Sequence, residues 1–372
     1  MFALAVALAL LLAGSLIYCL LVVVAARNYL AQKVPPAASA APISVLKPLA
    51  GAEEGLEANL RSFFEQDHPQ YELLFGVRDS ADPAAAVVQA LIAKFPTRTA
   101  RLLITGEPPY PNAKVYSLER MVVEARYDIL VMSDSDIRVQ PGFLSSIAAE
   151  FSDPGVALAT CPYRAVAGAS FWSQLEAEGM NTDFLAGLLV ARLVEGMKFA
   201  VGPTIAARKQ ALAAIGGFAK LKDYLAEDFI MGKFAAQAGM GVILSLNIVQ
   251  HRIGSQTLRA NVSHRLRWVR STRRSRPWGY VGQLFTHPLP FALLLCALHP
   301  AWWPALVLAA ALRALAAWST CAWILHARPR WHLLVLQDIL TFLFWLAGFF
   351  GNTIVWRGRR YYLYPDGRFE LR

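Results

Sequence analysis

The sequence predicts an α/β domain built on a mostly parallel sheet, with transmembrane helices before and after it. Three observations carry that reading. Short apolar strands alternate with amphipathic helices from Ile43 onward, an uncharged apolar run covers residues 2–26, and apolar character returns past Thr286. Composition agrees: 56% of the 372 residues are hydrophobic and only 17% are charged, a balance unusual for a soluble chain.

The first run is closed by Arg27 and Lys33. A signal peptide has a basic start and an apolar core of about 7–15 residues. This run has neither feature and is long enough to cross a hydrocarbon core, so residues 1–27 are expected to form a transmembrane helix. The basic residues after it place the following domain on the cytoplasmic side. Residues 28–42 form a linker, rich in Pro and Ala from Lys33 to Pro42.

Residues 43–256 carry the α/β pattern. Strands are expected at 43–46, 71–77, 101–104, 128–133, 156–160 and 242–246. Helices are expected at 53–66, where Leu56, Leu60, Phe63 and Phe64 share one face, and at 83–95, 115–125, 142–151 and 228–238. Such a βαβα rhythm gives a parallel sheet with helices on both faces. Ligands then bind beyond the carboxyl ends of the strands.

The net charge of +10 is unevenly placed: eight arginines and no acidic residue lie between Arg252 and Arg276. Because this stretch precedes a long apolar region, residues 257–286 read as basic interfacial helices meeting anionic headgroups, not as a nucleic-acid surface. Residues 287–356 hold the C-terminal membrane helices. Two spans are expected in 287–327, divided at His299–Pro304, and a third at 331–356. The basic tail, 357–372, contains Arg357, Arg359 and Arg360. One span before the domain and three after it would leave this tail outside, against the charge rule. A re-entrant or interfacial segment, or an exported tail, would resolve the conflict. Cys19, Cys161, Cys296 and Cys321 lack zinc spacing and read as free thiols.

Several polar features stand out. Asp79 follows the strand at 71–77, and Asp134-Ser135-Asp136 follows the strand at 128–133. Two carboxylates one residue apart at a strand end can face one hard divalent ion, or can simply close a turn. Glu227-Asp228 opens a helix, where acidic residues favour the N-terminus and where Asp228 could also serve as a general base. His251 is either a structural histidine or a third ligand beside the D-x-D. In His264-Arg265-Leu266-Arg267-Trp268, one helical face could lie on headgroups. Alternatively, Arg267 could clamp a pyrophosphate while Trp268 stacks near the sugar or acceptor.

In order and spacing these residues resemble the ceramide glucosyltransferase family, a lipid-directed branch of the GT-A glycosyltransferases that also includes hopanoid glycosyltransferases. The likeness runs from Ile43-Ser44-Val45-Leu46-Lys47-Pro48 to Val355-Trp356-Arg357-Gly358-Arg359-Arg360-Tyr361. It implies a GT-A catalytic domain, a Rossmann-like fold with a mostly parallel sheet, plus transmembrane helices. Asp79 falls on the family's first aspartate, implied to contact uracil. Lys114, in Asn112-Ala113-Lys114, falls on a lysine pointing to the nucleotide. Asp134 falls on the second aspartate and Asp228 on the third, the implied base. Arg267 and Trp268 end the family's (Q/R)-x-x-R-W signature, whose first position here is His264.

The resemblance implies an inverting transfer of a sugar, glucose foremost, from a UDP-sugar to a lipid hydroxyl. The acceptor would be ceramide or, in the bacterial branch, a hopanoid that receives N-acetylglucosamine or another sugar. Asp134, Asp136 and His251 would hold Mn or Mg, Asp79, Lys114, Asp134, Arg267 and Trp268 would bind the nucleotide sugar, and Asp228 would be catalytic. The setting implied is the cytoplasmic face of a bacterial inner membrane. Residues 171–189 read either as part of an acceptor wall, with Trp172 as an interfacial anchor, or as buried helix packing. A processive polysaccharide synthase shares the D-x-D and R-W elements but normally carries more membrane helices. A lipid transporter would place its ionisable groups within the spans, where this chain has mainly Arg313 and Asp338.

Overall fold

The computed structural model describes residues 2–33, 41–356 and 358–372. Residues 34–40 of the expected linker and Arg357 of the expected tail lie outside them.

The chain opens with α1 (Phe2–Leu30). The α/β domain then runs through β1 (Ile43–Pro48), α2 (Leu56–Phe64), β2 (Tyr71–Val77), α3 (Pro83–Lys94), β3 (Ala100–Ile104) and α4 (Ala113–Glu124). It continues with β4 (Ile129–Ser133), β5 (Ile137–Arg138), α5 (Phe143–Glu150), β6 (Val156–Thr160) and β7 (Tyr163–Ala167). Next come α6 (Phe171–Gly179), a π-helical stretch (Met180–Phe184), α7 (Leu185–Glu195), β8 (Thr204–Arg208) and α8 (Lys209–Ala214). After these follow α9 (Glu227–Gln237), β9 (Gly241–Leu244) and β10 (Val249–Ile253). The remainder holds α10 (Leu258–Ser275), α11 (Pro277–Gly282), α12 (Pro288–Leu298), α13 (Trp303–Trp318) and α14 (Trp331–Gly348). It closes with β11 (Thr353–Trp356), β12 (Arg359–Leu363) and β13 (Phe369–Leu371).

The main sheet has the order β3-β2-β1-β4-β8-β6-β9. β8 runs antiparallel to β4 and β6, and the other pairings are parallel. Its central strands are apolar on both faces because both faces are covered. Val45, Leu73 and Val131 pack with Phe63 and Phe64 of α2, whereas Leu46, Leu74 and Leu130 pack with Val115 and Leu118 of α4. A second sheet, β5-β10-β7, stands at the carboxyl end of β4. His251 lies inside β10 and pairs with Ile137, next to Asp136.

Among the described residues, three helices are long and apolar enough to cross a membrane: Phe2–Leu30, Pro300–Ile324 and Trp331–Gly348. The expected span at 331–356 is too long. Its helix stops at Gly348, and residues 353–356 form β11. Arginines of α10 end it there. Arg270 Nε donates to the carbonyl of Phe350 at 3.1 Å and its Nη1 to that of Thr353 at 2.6 Å, while Arg273 bonds the carbonyls of Phe349 and Gly351. Cations that satisfy the last carbonyls of a helix also meet the negative end of its dipole. Much of the positive charge expected to meet headgroups is thus used inside the fold.

The tail returns to the α/β domain. Phe369 N donates to Asp223 O at 2.9 Å, and Leu225 packs with Ile354, Tyr361, Leu363 and Phe369. The chain between α10 and β11 must therefore cross a bilayer an even number of times. α13 and α14 are long and apolar enough for two crossings. The preceding pair, Pro277–Thr286 and Pro288–Leu298, is bent by 54°, the geometry of a broken span or of a re-entrant loop. The docked tail and the α/β domain share one side, which agrees with the charge rule.

Candidate functional site

The site forms where β4 ends. After Ser133 the chain turns, with Asp134 N bonded to Pro203 O at 3.0 Å and Ile137 N to Asp134 O at 3.3 Å. Lys47, in the otherwise apolar β1, supports this turn from beneath. It is fully buried, lies 4.1 Å from the centre of the Phe63 ring, and donates to Ser133 Oγ at 3.3 Å and to the Asp134 carbonyl. Burial pulls its pKa down to about 7, against the pull of Asp134 and Asp136.

Asn112 caps α4 by accepting from Val115 N at 3.2 Å, which sets Lys114 in the first turn. Lys114 Nζ stands 2.7 Å from Asp134 Oδ1 and 3.0 Å from Glu227 Oε1. Burial disfavours this ammonium, but the two carboxylates outweigh it and raise its pKa. Asp134 is raised by burial and by Asp136, despite Lys114. Asp136 is also buried, yet His251, with Nε2 at 2.9 Å from Oδ2, holds its pKa below the usual value. His251 is shifted up in return: burial works against its charge, and Asp136 prevails.

Asp228 opens α9 beside Glu227. Burial first, and Glu227 second, push its carboxyl up to about 7. Gly202 faces it so closely that a methyl group there would lie 2.6 Å from Asp228 Oδ2.

Asp79, Lys114, Asp134, Asp136, Asp228, His251, Arg267 and Trp268 all line one cavity of about 1630 Å³. Asp79 sits at the carboxyl end of β2, where its Oδ1 accepts from Ala81 N at 2.9 Å. Trp268 packs against Phe184 and His264, with ring centres 5.8 and 5.1 Å apart. Asp134, Asp136 and His251 do not form a ready metal cluster among the described residues, because Lys114 and His251 each take one carboxylate oxygen. The expected acceptor wall at 171–189 contributes Glu176, Gly179, Met180, Asp183, Phe184, Gly187 and Leu188, but not Trp172.

The family model described as Glycosyl transferase family 21 matches residues 6–369. The chain belongs to glycosyl transferase family 21. Ceramide glucosyltransferase 1 of Caenorhabditis elegans is 31% identical to it over 241 residues, 64% of this chain and 51% of that protein. Ceramide glucosyltransferase of Komagataella phaffii is 35% identical over 116 residues, 30% of this chain and 22% of that protein. The chain spans about half the length of the first of these relatives. A mannosyltransferase from Pyrobaculum calidifontis, solved with GDP-Man and Mn2+, superposes with a TM-score of 0.57 at 17% identity, covering 94% of this chain and 98% of that one. That likeness is one of fold, and it makes the α/β domain of this family 21 member a GT-A domain.

Sequence reasoning missed two groups in this family 21 site. Lys47 was visible as a lone cation in an apolar strand. Glu176, bonded to His264 Nδ1 and accepting from Asn261 Nδ2 at 2.7 Å, gave no signal, since its partners lie 85 and 88 residues away.

Proposed function

We propose that this family 21 member is an inverting glycosyltransferase that moves a sugar, glucose foremost, from a UDP-sugar to a membrane lipid hydroxyl, with ceramide as acceptor. The observation supporting it is the convergence of Asp79, Asp134 and Asp228, far apart in sequence, on one cavity also lined by Thr341 and Trp345 of the membrane helix α14. Asp79 and Lys114 hold the uridine and the diphosphate. Arg267 adds positive charge against the phosphates, and Trp268 stacks near the sugar.

Asp134 and Asp136 would hold Mn or Mg, for which oxygen donors are suited. The site fits such an ion: Asp136 Oδ1 is buried without a hydrogen-bond partner, a costly state for a carboxylate oxygen. His251 then orients Asp136 from behind. The ion would supply charge against the leaving diphosphate. Asp228 takes the proton of the lipid hydroxyl as that oxygen attacks in line. Arg27 and Lys33, just after the apolar run of α1, favour the cytoplasmic face of the membrane, a bacterial inner membrane on this reading, for this chemistry.

The test is UDP release from UDP-glucose by the full chain in nanodiscs containing ceramide, with mass spectrometry of the lipid product. A polyhydroxylated hopanoid in place of ceramide tests the other acceptor. No release with either lipid overturns the proposal.

Two further results are expected. A base whose pKa is about 7 is protonated, and idle, below that pH. The rate should therefore climb about tenfold per pH unit on the acid side and level off above pH 7; a pH profile of kcat/KM that is flat between pH 5 and 8 contradicts this. The Gly202→Ala change should push the Asp228 carboxylate aside without unfolding the chain, because the atom it meets ends a movable side chain. Displacing a reacting group by about 1 Å costs on the order of 100-fold in rate. Steady-state kinetics should show that loss in kcat, with little change in the KM for UDP-glucose.

A further inference from the structure

The GT-A chemistry leaves one polar cluster unused. Arg313 on α13 and Asp338 on α14 sit within helices able to cross a membrane and are almost fully buried. Arg313 Nε donates to both oxygens of Asp338, at 2.9 and 3.0 Å. Its Nη2 bonds Asp183 Oδ1, in the π-helical stretch between α6 and α7. One cation thus serves two carboxylates. Charges at such depth are retained where they do something.

The two carboxylates are not equivalent. The side chain of Asp338 is 2% exposed, whereas that of Asp183 is 23% exposed and lines the cavity. Asp183 Oδ2 receives only long contacts, from Gln337 Nε2 and Thr341 Oγ1 at 3.3 Å each, while Gln337 Nε2 also donates to Thr341 Oγ1 at 2.7 Å. Gln337 and Thr341 line the same cavity. Gly179 makes room for this arrangement, since a methyl group there would lie 2.2 Å from Gln337 Nε2. Besides the aspartates proposed to face the donor, the cavity lining therefore includes a partly exposed carboxylate, held on one oxygen by two long hydrogen bonds, among the helices able to cross a membrane, with Leu188 and Phe344 beside it.

We infer that Asp183, with Gln337 and Thr341, is the acceptor's headgroup site, taking a hydrogen-bond donor that the lipid carries next to the hydroxyl being glycosylated. This rests on the lipid-transfer reading above. A lipid with one hydroxyl offers only the reacting oxygen. One with a neighbouring amide N–H or second hydroxyl can also donate to the Asp183 carboxylate, and a site built around such a bond discriminates strongly against a ligand that lacks it.

The experiment compares three acceptors in nanodiscs with UDP-glucose: ceramide, a polyhydroxylated hopanoid, and 1-hexadecanol. The wild type should favour ceramide or the hopanoid over hexadecanol by at least about 100-fold in kcat/KM, and which of the two it favours identifies the source of the donor group. Asp183→Asn and Thr341→Val should each shrink that ratio by about tenfold, chiefly through the acceptor KM, with the KM for UDP-glucose moving far less. Thr341→Val leaves the Arg313 ion pairs intact, so it reports even if Asp183→Asn folds poorly. Unchanged selectivity in Thr341→Val, or equal losses toward all three acceptors, overturns the inference alone. Failure of the wild type with every acceptor overturns the lipid-transfer reading, and the inference with it.

Discussion

Asp228→Asn is expected to lower kcat by at least about 100-fold while leaving UDP affinity near that of the wild type, since a positioned base contributes on the order of 10² to 10⁴ in rate. The amide matches the carboxylate in shape, so the close contact with Gly202 and the start of α9 are kept. What is lost is the ability to take a proton. The neighbouring carboxylate is the control. Glu227 Oε1 lies 3.0 Å from Lys114 and Oε2 lies 3.5 Å from Asn112 Nδ2, so Glu227→Gln should weaken donor binding more than turnover. UDP-release kinetics together with calorimetric titration of UDP separate the two effects. An Asp228→Asn enzyme that still turns over at close to the wild-type rate would remove Asp228 from its role.

Arg313→Leu is expected to be the most destabilising single change away from the GT-A site. It strips the cation from two carboxylates, one of them 2% exposed, and breaking a buried ion set on one side costs about 3–5 kcal/mol. Replacing the whole set with apolar or neutral groups is far cheaper. The triple variant Arg313→Leu, Asp338→Leu, Asp183→Asn should therefore recover most of the thermal stability that the single variant loses. Melting curves of the purified full chain in detergent check this, and equal melting temperatures for the wild type and Arg313→Leu would refute it.

The main sheet was legible because its central strands are buried on both faces and read as predominantly apolar runs. The D-x-D was legible for the same reason: Asp134 and Asp136 are the first carboxylates after such a run. β10 escaped notice because its sequence, Val-Gln-His-Arg-Ile, is apolar only at its ends and shows no period-two pattern, and only pairing with β5 brings His251 beside Asp136. β11 was hidden differently. Thr353 to Trp356 continues an apolar run, so composition extended the membrane span through it. What ends α14 is a set of arginines about 80 residues upstream, and no local pattern records that. Arg313 and Asp338 were visible as charges among apolar residues, but Asp183, which joins them from 130 residues away, was not. Local periodicity and strand ends therefore gave the frame and most of the aspartates, while long-range pairing decided the supporting contacts.

The docking of β13 on Asp223 has a consequence for biogenesis. Residues 369–371 emerge from a ribosome only after α13 and α14 have been made. The segment ahead of α9 that holds Asp223 and Leu225 therefore lacks its partners until both long apolar helices have been synthesised, so this corner of the α/β domain is among the last parts of the fold to close.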